Sequence, residues 1–151
     1  DNKGKFFGLG RGVSQKKIHE YREQLSVLGL GLENKMDMAV GCLSGGQRQA
    51  MALLMTTMTP IDILILDEHT AALDPKIAEL IMQITDRIVR SKNLTALMVT
   101  HNLRFAVSYG SRLIMMHNGE IVLDKAGEDK KSETVEDLLH LFNTISIECG
   151  N

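Results

Sequence analysis

An α/β domain, with a mostly parallel sheet flanked by helices, is what this sequence predicts, and three observations carry it. Ile61 to Asp67 and Leu94 to Thr100 are short, apolar almost throughout, and each closes on a polar residue, the pattern of strands buried on both faces. Between them, Asp74-Pro75 opens a helical stretch with Ile77, Leu80, Ile81, Ile84 and Ile88 on one face. Strand, helix, strand in that order implies parallel pairing, with helices covering both faces of the sheet. Ligands of such sheets bind at the carboxyl ends of the strands, and there this chain has Asp67-Glu68 and Thr100-His101.

The elements follow in chain order. Residues 1–13 carry four glycines among basic residues with no periodicity, the composition of a flexible lead-in. Ser14 can cap a helix with Ile18, Tyr21, Leu25 and Leu28 at helical spacing, ended by Gly29 or Gly31. An irregular stretch reaches Cys42, and Ser44 then opens a second helix running to about Thr59, with Pro60 after it. Asp74 as N-cap with Pro75 at the first helical position is a strong start for the third. A short helix over 102–109 precedes two strands, Arg112–Met116 and Glu120–Asp124, whose link Asn118-Gly119 favours a tight hairpin. Thr134 to Asp137 reads as a capping box for a last helix ending near Phe142, and 143–151 as a loosely held tail.

Composition narrows the function. The 151 residues are enough for one domain with a core, and 44% hydrophobic against 24% charged residues fits a globular protein. A formal net charge of −2 and the absence of Trp argue against a nucleic-acid surface. No apolar run is long enough to cross a bilayer, and no signal peptide opens the chain. Cys42 and Cys149 fit neither a metal spacing nor a disulfide framework, so a cytoplasmic location is expected. The first residue is Asp rather than Met, which suggests a piece of a longer protein.

Three constellations occur in order: Leu43-Ser44-Gly45-Gly46-Gln47, then Ile63-Leu64-Ile65-Leu66-Asp67-Glu68, then Thr100-His101, with Ala71-Ala72-Leu73-Asp74 between the last two. Each has a chemical rationale. Ser44-Gly45-Gly46 opens a helix, whose free N–H groups and positive end can face an anion, and glycine leaves no Cβ in the way. An N-cap with a tight turn would explain Ser44 without a ligand. Asp67, at the tip of a strand, suits a water-mediated contact to Mg²⁺. Glu68 can polarise an attacking water as general base, and His101 can hold that water and a phosphate oxygen. A phosphate loop of the form G-x-x-x-x-G-K-[ST] occurs nowhere in the sequence.

Taken together, this order resembles the ATP-binding-cassette (ABC) ATPases: signature sequence, Walker B strand with its glutamate, D-loop and switch histidine, over roughly residues 14 to 124. The resemblance implies an incomplete P-loop NTPase domain, its C-terminal portion, lacking the phosphate-loop strand. On that reading 14–42 belongs to the helical subdomain, 43–142 to the signature helix and the C-terminal part of the ATPase core, and the chain is inactive alone. It further implies a head-to-tail dimer with a second ATPase subunit, in which Ser44, Gly45, Gly46 and Gln47 cover the partner's ATP and Asp74 makes a contact across the dimer. Asp67, with Mg²⁺, Glu68 and His101 would serve the subunit's own nucleotide. Transmembrane permease subunits would be driven by the cycle, placing the protein on the inner face of the cell membrane. Three departures stand out, the first being that the phosphate loop and the glutamine loop, which the resemblance puts upstream, are absent. His69 occupies a position where many relatives carry Pro, and the helix from Gln49 to Met58 lacks an Arg often found there, a variation associated with importer-like ATPases. Two other readings stay open: a soluble ABC-type ATPase without membrane partners, as among translation factors, and a binding module that no longer hydrolyses ATP.

Overall fold

The computed structural model describes residues 14–148, which divide into two compact units. One comprises the described chain up to Ile61 together with Leu73–Ile84; the other comprises Asp62–Ala72 together with Thr85 onward. The lead-in expected over 1–13 lies outside the described residues.

In the first unit, helix α1 (Gln15–Ser26) begins where Ser14 accepts a hydrogen bond from the Lys17 amide, as the sequence predicts. Short 3-10 turns at Leu32–Asn34 and Val40–Cys42 lead to α2 (Gly45–Thr57). Leu28, Leu32, Leu43, Ala50 and Leu53 are buried. Thr57, also buried, turns its hydroxyl back to the carbonyls of Leu53 and Leu54 at the last turn of α2. Helix α3 (Pro75–Ser91) starts at Asp74, whose Oδ1 accepts from the Ile77 amide at 3.1 Å. Ile81, Met82 and Ile84 on α3 are almost fully enclosed.

In the second unit, β1 (Ile63–Asp67) pairs in parallel with β2 (Thr95–Val99), Ile63 opposite Thr95 and Asp67 opposite Val99. Helix α4 (Leu103–Ser108) follows, then β3 (Arg112–His117) and β4 (Glu120–Ala126), paired antiparallel. Asn118 and Gly119 both take positive φ, 49° and 82°, the conformation of a two-residue hairpin turn of the primed kind. Helices α5 (Gly127–Lys131) and α6 (Val135–Glu148) complete it. Leu64, Leu66, Ile88, Phe105, Leu113 and Leu138 are its buried apolar residues. Lys130 is buried as well, and its ammonium donates to the Val107 carbonyl in the last turn of α4. Burial holds its pKa below the usual lysine range.

Three expectations change. The described strands form two two-stranded sheets, one parallel and one antiparallel, so the sheet content is mixed rather than mostly parallel. The β1–β2 pair is not covered on both faces. Leu64 and Leu66 are buried, but Ile63, Ile65, Leu97 and Val99, which the register places on the other face, are each about half exposed. An apolar run cannot by itself distinguish one covered face from two. Finally, the last helix does not end near Phe142 but runs to Glu148, with the Thr144 hydroxyl bonded to the His140 carbonyl inside it.

Candidate functional site

The parallel register delivers the chemistry-bearing residues to one edge of the second unit. Because Asp67 lies opposite Val99, the next residues of both strands leave the sheet side by side. The Glu68 amide extends the pairing by one bond, donating to the Val99 carbonyl at 3.0 Å. Glu68 then takes a left-handed backbone, φ 47°, a conformation that costs a non-glycine residue roughly 1–2 kcal/mol. A turn closes after it, with the Ala71 amide donating to the Glu68 carbonyl at 2.9 Å. The result is a carboxylate turned toward the neighbouring strand: Glu68 Oε2 lies 2.5 Å from His101 Nδ1. His101 is held between two bonded neighbours. Thr100 Oγ1 accepts from the Asn102 amide at 3.1 Å, and Asn102 Oδ1 accepts from the Phe105 amide at 3.3 Å to cap α4. The pair stays open to water, the His101 side chain being 73% exposed.

Asp67 is exposed at the tip of β1, next to Glu68 in the chain. No group of three or more His, Cys, Asp or Glu side chains among the described residues could hold a metal ion on its own. One carboxylate beside a wet site still fits Mg²⁺, which keeps most of its own water and takes few protein ligands.

His69 packs inward from the same turn. Its Nε2 lies 3.3 Å from the hydroxyl of Thr85 on α3, a residue buried almost completely. Burial lowers the His69 pKa below 6.5 and favours the neutral ring. Sequence reasoning did not find Thr85: it lies sixteen residues further on, and no local pattern marks it.

Ser44 to Gln47 belong to the first unit. Ser44 and Gln47 form a reciprocal capping box: Ser44 Oγ accepts from the Gln47 amide, and Gln47 Oε1 accepts from the Ser44 amide, both at 3.2 Å. Gln47 does more. Its Nε2 donates to the Leu30 carbonyl at 3.0 Å and its Oε1 also accepts from Lys35 Nζ at 3.2 Å, which ties the 30–35 turn to the start of α2. Gly46 is glycine for a packing reason. A Cβ there would stand 2.3 Å from Ile77 Cγ2, and one on Gly45 would stand 3.3 Å from Leu73 Cδ2. The amides of Gly45 and Gly46 are the first-turn donors that the box leaves over, at the positive end of α2. The structure thus brings Ser44, Gly45, Gly46 and Gln47 together with the start of α3 beside Asp74 in one unit, and Asp67, Glu68 and His101 together in the other.

Comparison with known proteins relates this chain to the nucleotide-binding domains of ABC transporters. The family model described as ABC transporter matches residues 2–71. The chain is 47% identical over 141 residues to the "Tyrosine transport ATP-binding protein" of Clostridioides difficile (strain R20291), covering 93% of this chain and 56% of that protein. It is 37% identical over 109 residues to the "Probable amino-acid ABC transporter ATP-binding protein" of Haemophilus influenzae, covering 72% and 42%. Among solved structures, an ATP-binding cassette of an ABC transporter in its ADP conformation superposes with a TM-score of 0.67 over 92% of this chain and 52% of that one, at 24% identity. The chain is homologous to ABC transporter nucleotide-binding domains and belongs with the ABC-type ATPases. It spans 56% or less of the length of these curated relatives.

One expectation is overturned by these matches. The family model begins at residue 2 and runs through β1 to residue 71, taking in the stretch read as a lead-in. The match is to the N-terminal part of the chain, so the chain is not assigned as a C-terminal portion without its phosphate-loop strand. Failing to find one glycine-rich string describes a single loop's sequence. It does not say which part of a domain the surrounding residues form.

Proposed function

We propose that this chain is the ATP-hydrolysing, energy-coupling part of an ABC transporter, importer-like in kind. The observation that supports this most directly is the Glu68–His101 pair, 2.5 Å apart at the carboxyl ends of two parallel strands. Glu68 takes a proton from the water that attacks the γ-phosphorus of ATP. As the new P–O bond forms, the bond to the bridging oxygen breaks, and ADP leaves with that electron pair. His101 keeps the Glu68 carboxylate aimed through Nδ1, which leaves Nε2 for a γ-phosphate oxygen. Asp67 would hold Mg²⁺, which when bound offsets the negative charge of the phosphates.

Ser44, Gly45, Gly46 and Gln47 present the positive end of α2 to the nucleotide of a second ATPase subunit in a head-to-tail dimer, and Asp74 meets that subunit as well as capping α3. The dimer works against transmembrane permease subunits, on the cytoplasmic face of the membrane. No described helix is long and apolar enough to cross a membrane itself. The relative named for tyrosine transport makes an amino acid the first cargo to test.

The experiment is Mg²⁺-dependent ATPase activity of the full-length protein against its Glu68→Gln variant. Removing the general base should lower kcat by about 10²–10⁴-fold while ATP still binds. Activity that survives the change would refute the assignment of Glu68.

A further inference from the structure

We propose that His69 and Thr85 form a positioning pair that fixes the turn carrying the Glu68 carboxylate, an inference that rests on Glu68 being the general base. The residue at this point of the chain is polar and half-buried, it turns to Thr85 on α3, and none of the catalytic roles above uses it.

Glu68 has a backbone that is unfavourable for its residue type, φ 47°, so its neighbours must hold it there. Two of the restraints are backbone bonds, from the Glu68 amide to Val99 and from the Ala71 amide to Glu68. Both close within the strand pair and the turn. Neither fixes the turn against the helix behind it. The His69 side chain does so: Nε2 reaches Thr85 Oγ1 at 3.3 Å. Thr85 is a rigid anchor, since it is 5% exposed, and it lies on α3 between Ile84 and Ile88, both buried. β-Branching on a helix leaves a threonine two main rotamers, and the observed one turns the Thr85 hydroxyl to His69. The turn is thereby held at three points: the sheet before it, its own closure, and α3.

The geometry also says what failure would look like. Without the His69 link, Glu68 keeps its carboxylate and its neighbour His101, but the turn can shift by a fraction of an ångström. A group that only needs to be near ATP tolerates that shift. A base that must meet one water in the transition state does not. The pair therefore acts on kcat and not on nucleotide affinity.

The test uses the full-length protein. Steady-state ATPase parameters, equilibrium MgATP affinity and the stoichiometry of bound ATP are measured for His69→Phe, Thr85→Val, the double variant, and Thr85→Ser, which keeps the hydroxyl. Expected is a kcat lower by roughly ten- to a hundredfold in both single variants, with KM, affinity and stoichiometry unchanged. The double variant should be no worse than either single one, and Thr85→Ser should retain wild-type kcat. Unchanged kcat in His69→Phe, alongside an inactive Glu68→Gln, would overturn the pair while leaving the base in place. Stoichiometry falling in step with kcat would also overturn it, as a loss of folded protein. If His69→Phe does not fold, the Thr85→Val against Thr85→Ser comparison decides, and equal kcat values there refute the pair. An active Glu68→Gln would instead remove the reading beneath it.

Discussion

Replacing Gly46 with Ala would put a methyl carbon 2.3 Å from Ile77 Cγ2. Carbon atoms in contact prefer about 3.5–4.0 Å, so more than an ångström must be recovered by moving something. Ile77 is poorly able to give, because a β-branched side chain on a helix is held close to one rotamer. The separation of α2 and α3 must change instead. Forcing an extra carbon into packed structure costs about 1–3 kcal/mol. Against this, Ala is favoured over Gly within a helix by up to about 1 kcal/mol, and by less in the first turn. A net loss of about 1–2 kcal/mol is expected, read as a lower denaturation midpoint with unchanged slope. Two controls locate the cause. Gly45→Ala meets only the end of Leu73, at 3.3 Å, and should be nearly neutral. In an Ile77→Ala background the obstructing methyl is gone, so the cost of Gly46→Ala should shrink by about 1 kcal/mol in a double-mutant cycle. The reasoning is refuted if Gly46→Ala is as stable as the parent, or if its cost is the same in both backgrounds.

Three further outcomes are expected. The His69 pKa is lowered by burial, so the unfolded chain binds this proton first on acidification; the stabilisation is complete above about pH 6.5 and is lost as pH falls below it. A His69→Gln variant should show a shallower stability–pH slope there, and an identical slope would exclude His69 as its source. Asp137 is held below the usual carboxylate range, first by the Thr134 hydroxyl and then by its amide, with smaller help from His140 and Lys125. Its contribution is present above the ordinary carboxylate value and disappears on further acidification, so amide protection at the start of α6, relative to the unstructured rate at the same pH, should fall below about pH 4, and Thr134→Val should produce that state at neutral pH. Gly119→Ala, forced to a φ of 82°, should lower stability by about 1 kcal/mol or more, whereas Asn118→Gly should be close to neutral by thermal melting.

What could be read from the sequence was what is fixed locally. Ser14, Ser44 and Asp74 cap their helices because a side-chain oxygen needs only the amide three residues on. Asn118-Gly119 makes its hairpin because few other dipeptides accept two positive φ angles. The adjacency of Glu68 and His101 followed from two strands of equal length ending alike. What could not be read depends on distant partners. Gln47 looked like a ligand-facing residue, yet its bonds to Leu30 and Lys35 need the 30–35 turn folded back on α2. The exposure of Ile65 and Leu97 reflects what lies against one sheet face, which apolarity alone does not encode. Helix α5 was missed because its residues, Gly127 to Lys131, have no apolar periodicity; the bond from Lys130 to the distant Val107 carbonyl ties it to α4.

The double engagement of Gln47 bears on how any genetic screen of this chain would be interpreted. A lesion there reaches the same phenotype by two routes. It removes the Gln47 half of the capping box at the start of α2, and it unhooks the 30–35 turn from that helix. The two routes separate at the turn's other tether: Lys35→Met removes one bond to Gln47 and leaves the capping box of α2 in place. Equal loss of stability with Lys35→Met and with a Gln47 lesion would place the effect in this scaffold.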